Sequence, residues 1–390
     1  MQWKSAISNH PITADALASV IETIEIMLAA APDLVMAFVS PHHADDYGLV
    51  GKVLQRRFPE AVVIGCSGGG IIGGGFELEG TPAISLTAGY LPGVRITPFH
   101  LLAEQRPTPE ASHAEWAAAL GLDEDPTGVI VLPDPFSFDA QAFAQGVDHA
   151  FPEAVLLGGL ASGGQEPGQH ALILGDALHR QGAVGIALSG NVIIDSVVAQ
   201  GCRPVGTPCF ITRCDAHLLF ELDGRPALDV LDEICGRLSE ADLELARGAL
   251  FVGLVMDAGR ESYGQGDFLL RNLLGAMPEE RALAVGARLQ ENHVVQFHVR
   301  DARASWADLD SLMAYHAAHC PAPEGALMFS CLGRGVNLYG EMGHDTKVVY
   351  SHLGEIPMGG FFCNGELGPV AGQTFLHGYT SAIAFFRSAD

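Results

Sequence analysis

Basic residues are scarce in this sequence: 21 Lys and Arg stand against 46 Asp and Glu, a formal charge of −25 over 390 residues. That balance excludes the Lys/Arg patches through which nucleic acid and anionic membrane surfaces are held. Cysteines at metal or redox spacing are missing too. The eight cysteines are spread without one Cys-x-x-Cys pair, so they read as free buried thiols in a reducing compartment. No apolar run suits a bilayer span: the uncharged stretch 367–386 is interrupted by Pro369, Gln373 and His377. Residues 1–10 lack the apolar core of a secretory signal, and a cytoplasmic location is expected. Charged residues make up only 17% against 48% hydrophobic, which excludes a disordered chain and allows large buried sheets.

What the chain does have is repetition. Phe-Pro-Glu-Ala-Val-Val-Ile-Gly at 58–65 returns as Phe-Pro-Glu-Ala-Val-Leu-Leu-Gly at 151–158, six of the eight positions identical. Ahead of each lies a helical stripe, Val50, Leu54 and Phe58 in one copy and Phe143, Val147 and Phe151 in the other. Apolar strands precede (34–39 and 129–132), and a glycine cluster with a further strand follows (83–88 and 184–189). A third copy takes 326–330 as its first strand, a less regular segment through 353 as its helix, 356–365 as its second strand and 380–386 as its last. A weaker fourth copy runs through a strand at 249–255, a helix at 268–274, and segments 282–286 and 293–299. Self-similarity of this kind sets the architecture before any single motif does. The expected fold class is mixed α/β: two related domains, 1–200 and 201–390, each a duplicated β-α-β-β unit with mixed, largely antiparallel sheets flanked by helices.

Two glycine motifs tempt. Gly65-Cys66-Ser67-Gly68-Gly69 matches the G-x-S-x-G nucleophile elbow, and Gly68, Gly70 and Gly73 match G-x-G-x-x-G. Both motifs need a helix directly afterwards, whereas Gly-Ile-Ile-Gly-Gly-Gly follows, among the poorest helix sequences available. Hydrolysis through Ser67 or Cys66 is therefore the lesser alternative, and no enzyme is expected. His316, His319 and Cys320 share a helical face, but Pro321 ends that helix, and a histidine near a helix C-terminus is favoured by the dipole alone. No metal site is expected there.

The densest polar cluster lies in the third copy, on glycine-rich strand ends: Arg334, Cys363, Asn364, Glu366, His377 and Tyr379. An arginine and a glutamate with amide and hydroxyl donors form a clamp for a small zwitterion, Arg334 taking the carboxylate. The alternative is that Arg334 and Glu366 pair with each other to lock two loops, since polar groups in apolar surroundings need partners whatever their purpose.

Gly201-Cys-Arg-Pro-Val-Gly206, Arg225-Pro-Ala-Leu-Asp229, Phe329-Ser-Cys-Leu-Gly-Arg334, Gly365-Glu-Leu-Gly-Pro369 and Phe375-Leu-His377 resemble the signatures of FIST proteins. The likeness spans an N-terminal FIST module to about residue 200 and a C-terminal one after it. It implies a cytoplasmic sensory module that binds a small ligand, amino acids among them, and acts through a separate partner protein. The resemblance to stand-alone bacterial members further implies nitric oxide sensing through haem, with a histidine kinase or a cyclic-di-GMP enzyme as partner. With no Cys-x-x-Cys-His motif, only non-covalent haem b is open to the chain, and His377 or His344 would be its axial ligand.

Overall fold

Every position of the strand Leu34–Val39 is buried, the signature of a strand covered on both faces. Alternation sorts its side chains. Leu34, Met36 and Phe38 enter a central core, while Val35, Ala37 and Val39 pack with the helices Thr13–Met27 and Tyr47–Arg57. The same division holds in Gly128–Pro133, where Ile130 and Leu132 join that central core and Val129 and Val131 meet the helices His113–Leu120 and Ala140–Ala150. This computed structural model describes residues 1–257, 259–260 and 262–389. The chain divides into a larger unit (Met1–Val198, Asp310–Leu376 and the segment from Thr380 onward) and a smaller one (Ala199–Leu309 with His377–Tyr379).

The larger unit contains three six-stranded sheets built to one plan. In order across the sheet, the first has Gln2–Ser8, Ile84–Tyr90, Leu34–Val39, Val62–Ser67 and the hairpin Leu172–Leu174/Ala177–His179. The second has Val94–Leu101, Ala183–Gly190, Gly128–Pro133, Val155–Gly159 and the hairpin Glu366–Val370/Gln373–His377. The third has Ile193–Gln200, Thr380–Arg387, Gly325–Cys331, Met358–Cys363 and the hairpin Gly70–Gly73/Phe76–Glu79. The central pair is parallel in each sheet, and the strand beside it runs antiparallel. Each copy thus lends its hairpin to another copy's sheet. The first gives to the third, the second to the first, and the third to the second.

Three glycines mark the equivalence. Gly65, Gly158 and Gly360 sit opposite Ala37, Val131 and Met328 in the parallel pairs. A Cβ added at any of them would lie 1.9 Å from that partner's carbonyl oxygen. Around the strand ends a hydrogen-bond ring closes: Ser162 N–H donates to Ser67 O (3.1 Å) and Asn364 N–H to Leu160 O (3.1 Å). By equivalence the third link joins Gly69 N–H and Phe362 O. It runs through the Ser162 hydroxyl, which accepts from Gly69 N–H and donates to Phe362 O.

Mixed α/β sheets in two units match the expected class. The larger unit, however, holds three copies, the expected fourth copy does not follow their plan, and the units do not follow a single cut at residue 200. Residues after 309 rejoin the larger unit because their strands complete its third sheet and its hairpin exchange. The smaller unit is an insertion in the third copy, between Ile193–Gln200 and the helix Ala302–His319. Its seven-stranded sheet does not repeat the plan. In particular 268–274, expected as a helix, lies in the strand Phe268–Met277, paired antiparallel with Leu250–Val255. Phe268 and Leu270 are buried on one face there, so period two prevails over the helical reading.

Candidate functional site

Arg334 lies just beyond the strand Gly325–Cys331 and is fully buried. Its Nε donates to Asp345 Oδ2 at 2.8 Å, and its Nη2 donates to Asp345 Oδ1 at 3.0 Å and to the Tyr339 hydroxyl at 2.8 Å. The fork geometry is bidentate, the strong form of such a pair. Asp345 also accepts from Ser330 Oγ (3.2 Å) and faces His344 Nδ1 (3.3 Å). Despite burial, the Arg334 charge and these hydrogen bonds hold the Asp345 carboxyl well below the usual carboxylate range. The His344 ring stacks on Tyr339 with centroids 3.4 Å apart and planes 9° from parallel.

Two carboxylates reach this cluster from the first copy's exchanged hairpin. Glu77 accepts from Thr346 N–H at 2.6 Å, and burial, then the nearby Asp345 charge, raise its pKa to about 7. Glu79 accepts from Val336 N–H at 2.9 Å. Gly335, at φ +55°, is required there because a Cβ would fall 2.2 Å from the Glu79 carboxylate. The segment 332–343, between Arg334's strand and Asp345's helix, also turns through Gly340 and Gly343 in the left-handed region.

Glu366 stands out against the other copies. It pairs with Gly159 as Leu172 pairs with Cys66 and Ile71 with Phe361, so two copies place an aliphatic residue where the third buries a carboxyl. Its Oε2 accepts from Thr380 N–H (3.2 Å) and Oγ1 (2.8 Å). At the equivalent strand start, Ser40 Oγ accepts from Ala83 N–H, and Ser137 Oγ, donating to Asp134, accepts from Gly182 N–H. A hydroxyl therefore suffices for that backbone task, and Glu366 exceeds it. Its Oε1 has no hydrogen-bond donor among the described residues. Burial raises its pKa to about 8, against the pull of Thr380, Arg334 and Cys331.

Of the residues singled out in the sequence, Arg334, Cys363, Asn364 and Glu366 fall in the larger unit, and His377 and Tyr379 in the smaller. The Arg334–Glu366 pair does not form; Asp345 takes the guanidinium, leaving Nη1 without a partner among the described residues. Asn364 donates from Nδ2 to Ala161 O at 2.9 Å. Cys363 is a buried thiol whose pKa burial pushes up, as it does for Cys66. The Tyr379 hydroxyl donates to Asn272 Oδ1 at 3.0 Å, and its ring lies 4.3 Å from that of Phe251. Asp345, Tyr339 and Glu77 escaped the sequence reading. Asp345 had a signal, as the acid nearest Arg334 on its C-terminal side after Glu341. Glu77 had none, because only the exchanged hairpin brings it here.

Ser67 is buried between strands and accepts from Ala171 N–H at 3.1 Å. The next element is the strand Gly70–Gly73, not a helix, so the elbow geometry is absent among the described residues. For haem, the surroundings of His344 fit poorly: Asp345 holds its Nδ1, Tyr339 covers its face, and Arg334 is close by, where haem needs an apolar slot. A groove of about 520 Å³ lies elsewhere on this unit, lined by Gln141, Asp148, His149 and Gly372–Phe375. No helix is long and apolar enough to cross a membrane among the described residues.

Comparison with known proteins gives matches over most of the chain. The FIST N domain matches residues 33–225 and the FIST C domain residues 227–369. An uncharacterised protein of Mycobacterium tuberculosis, MT0656, is 36% identical over 366 residues, 93% of each chain. Another, Mb0898c of Mycobacterium bovis, is 35% identical over 363 residues, 91% of each. Among solved structures, a cyanuric acid hydrolase from A. caulinodans aligns over 99% of both chains with a TM-score of 0.35 and 11% identity. A likeness that remote carries no argument.

Proposed function

Since this chain belongs to the FIST family, whose domains are sensory, we propose that it is a cytoplasmic signal-transduction sensor for a small polar metabolite, an amino acid or a compound like it. The ligand enters the polar core around Arg334 and Glu366, and the signal passes to a separate protein. The observation that carries this reading is the surplus carboxyl of Glu366, buried where two sister copies place Ile71 and Leu172. Desolvating a carboxyl without using both oxygens is costly. A ligand ammonium group at Oε1, with the ligand carboxylate on Arg334 Nη1, offsets that cost at both unpartnered atoms. Entry requires movement of 332–343, whose left-handed glycines give it turning points. The segment's release or closure is then the signal a partner such as a histidine kinase or cyclic-di-GMP enzyme reads.

Chemistry is not part of this reading. Burial pushes the Cys66 and Cys363 thiols up, away from the reactive thiolate, and a strand rather than a helix follows Ser67. The test is thermal unfolding across an amino-acid and metabolite panel. Saturating ligand at about 100 times Kd stabilises by about 2.7 kcal/mol, a shift of several degrees. Glu366→Gln, which keeps the Thr380 contact but cannot ionise, is expected to abolish the shift. An undiminished shift in that variant removes the site. No Soret band is expected in protein purified from haem-supplied cells.

A further inference from the structure

Arg271 sits mid-strand in Phe268–Met277 of the smaller unit, directly opposite Val252 of the neighbouring strand Leu250–Val255. Period two puts Arg271 on the same face as Leu269 and Leu273, and on the partner strand Val252 and Leu254 share that face. Both faces of the strand are apolar, and on this one Val252 is buried in the unit's core while Leu254 and Leu273 pack against it, as does Leu245 of the helix Glu240–Gly248. A guanidinium in the middle of such a face needs an anion. Among the described residues its one side-chain hydrogen bond runs from Nη1 to the carbonyl of the preceding residue, Leu270, at 2.9 Å. No Asp or Glu pairs with it among the described residues.

The rest of the unit shows how unusual that is. Arg203 pairs with Asp242 and Asp301, Arg225 with Glu233, Arg260 with Asp267 and Arg281 with Asp229. Arg247, Arg288 and Arg303 carry no ion pair among the described residues but are exposed to water. Arg271 is partly buried, and burial lowers its pKa to about 10. In a chain with 46 acids, a partly buried arginine that no carboxylate of the described residues pairs keeps its fork free for an anion from outside.

We propose that Arg271 anchors a second ligand, a small carboxylate with an apolar body, on the sheet face it shares with Val252, Leu254, Leu269 and Leu273. The fork of the guanidinium takes the two carboxylate oxygens, and the aliphatic neighbours take the remainder. This site lies in the other unit from Arg334 and stands whether or not that core binds a metabolite.

The full-length protein is titrated with isovalerate, its neutral analogue isovaleramide, and inorganic phosphate, following the unfolding temperature. Isovalerate is expected to raise it and isovaleramide to leave it unchanged. Arg271→Gln should abolish the shift, while Glu366→Gln should retain it, which separates this site from the core around Arg334. Arg271→Leu is expected to unfold several degrees higher than the ligand-free parent, and to ignore isovalerate. Should that variant fail to fold, Arg271→Lys keeps the charge without the fork and is expected to weaken isovalerate at least tenfold. A shift from phosphate alone, an unchanged isovalerate shift in Arg271→Gln, or no shift with isovalerate overturns the assignment.

Discussion

Removing Arg334 or Asp345 alone leaves the other buried and uncompensated. Arg334→Ala and Asp345→Ala are each expected to cost about 3–5 kcal/mol, read from urea unfolding, with the double variant costing less than the sum. Glu366 makes an opposite, pH-dependent statement. Its proton is held more tightly folded, at about pH 8, than unfolded, near 4.5. A group of that kind supports folding fully in acid and loses its support as pH rises through 8. Glu77, raised to about 7, acts in the same direction. Stability is therefore expected to fall from pH 5 to 8, by at most about 1.4 kcal/mol per unit for each group. Glu366→Gln should flatten that slope and unfold later than the parent at pH 8; an unchanged slope contradicts the raised carboxyl. Asp345 works in reverse, giving its stability at neutral pH and losing it in acid.

At the level of strands and turns, the three equivalent glycines are the sharpest test. A Cβ at Gly65, Gly158 or Gly360 meets a backbone oxygen at 1.9 Å, and backbone in the middle of a sheet cannot step aside. Each Gly→Ala change is expected to cost about 3 kcal/mol or more, and similar losses at all three would confirm that the copies carry equal loads. Ser162→Ala breaks both halves of the ring's indirect link and is expected to cost about 1–3 kcal/mol. Strands such as Leu34–Val39 were legible in the sequence because burial on both faces leaves an unbroken apolar run. The segment 268–274 was not, since Phe268, Leu269, Leu270, Leu273 and Leu274 satisfy helical and strand periods alike. The helix His344–Leu353 was visible only as a gap of the right length, its polar start concealing it.

For the molecule as a whole, hairpin exchange decides what can fold alone. A fragment 1–200 has the first sheet complete but lacks the second sheet's edge hairpin, Glu366–His377, and the three central strands of the third. It is expected to be insoluble or molten when expressed alone, despite matching most of the FIST N domain, and circular dichroism with dye binding would show it. The sequence displayed the copies through their local patterns, yet which copy completes which sheet depends on pairings some 100–300 residues apart that leave no local trace. The candidate core was half legible for the same reason: Arg334 and Glu366 stood in recognisable motifs, while Glu77 arrives from 257 residues before Arg334.

An arm passed in one direction around three identical stations is what separate subunits do when they swap segments in a closed trimer. Linking such subunits end to end would preserve every contact while freeing each third to diverge, so that one could host an inserted unit and acquire a buried acid without its sisters following. Severed at the junctions after residues 91 and 191, the thirds would have no stable monomer to fall back on, and would be expected to reassemble three at a time or not at all.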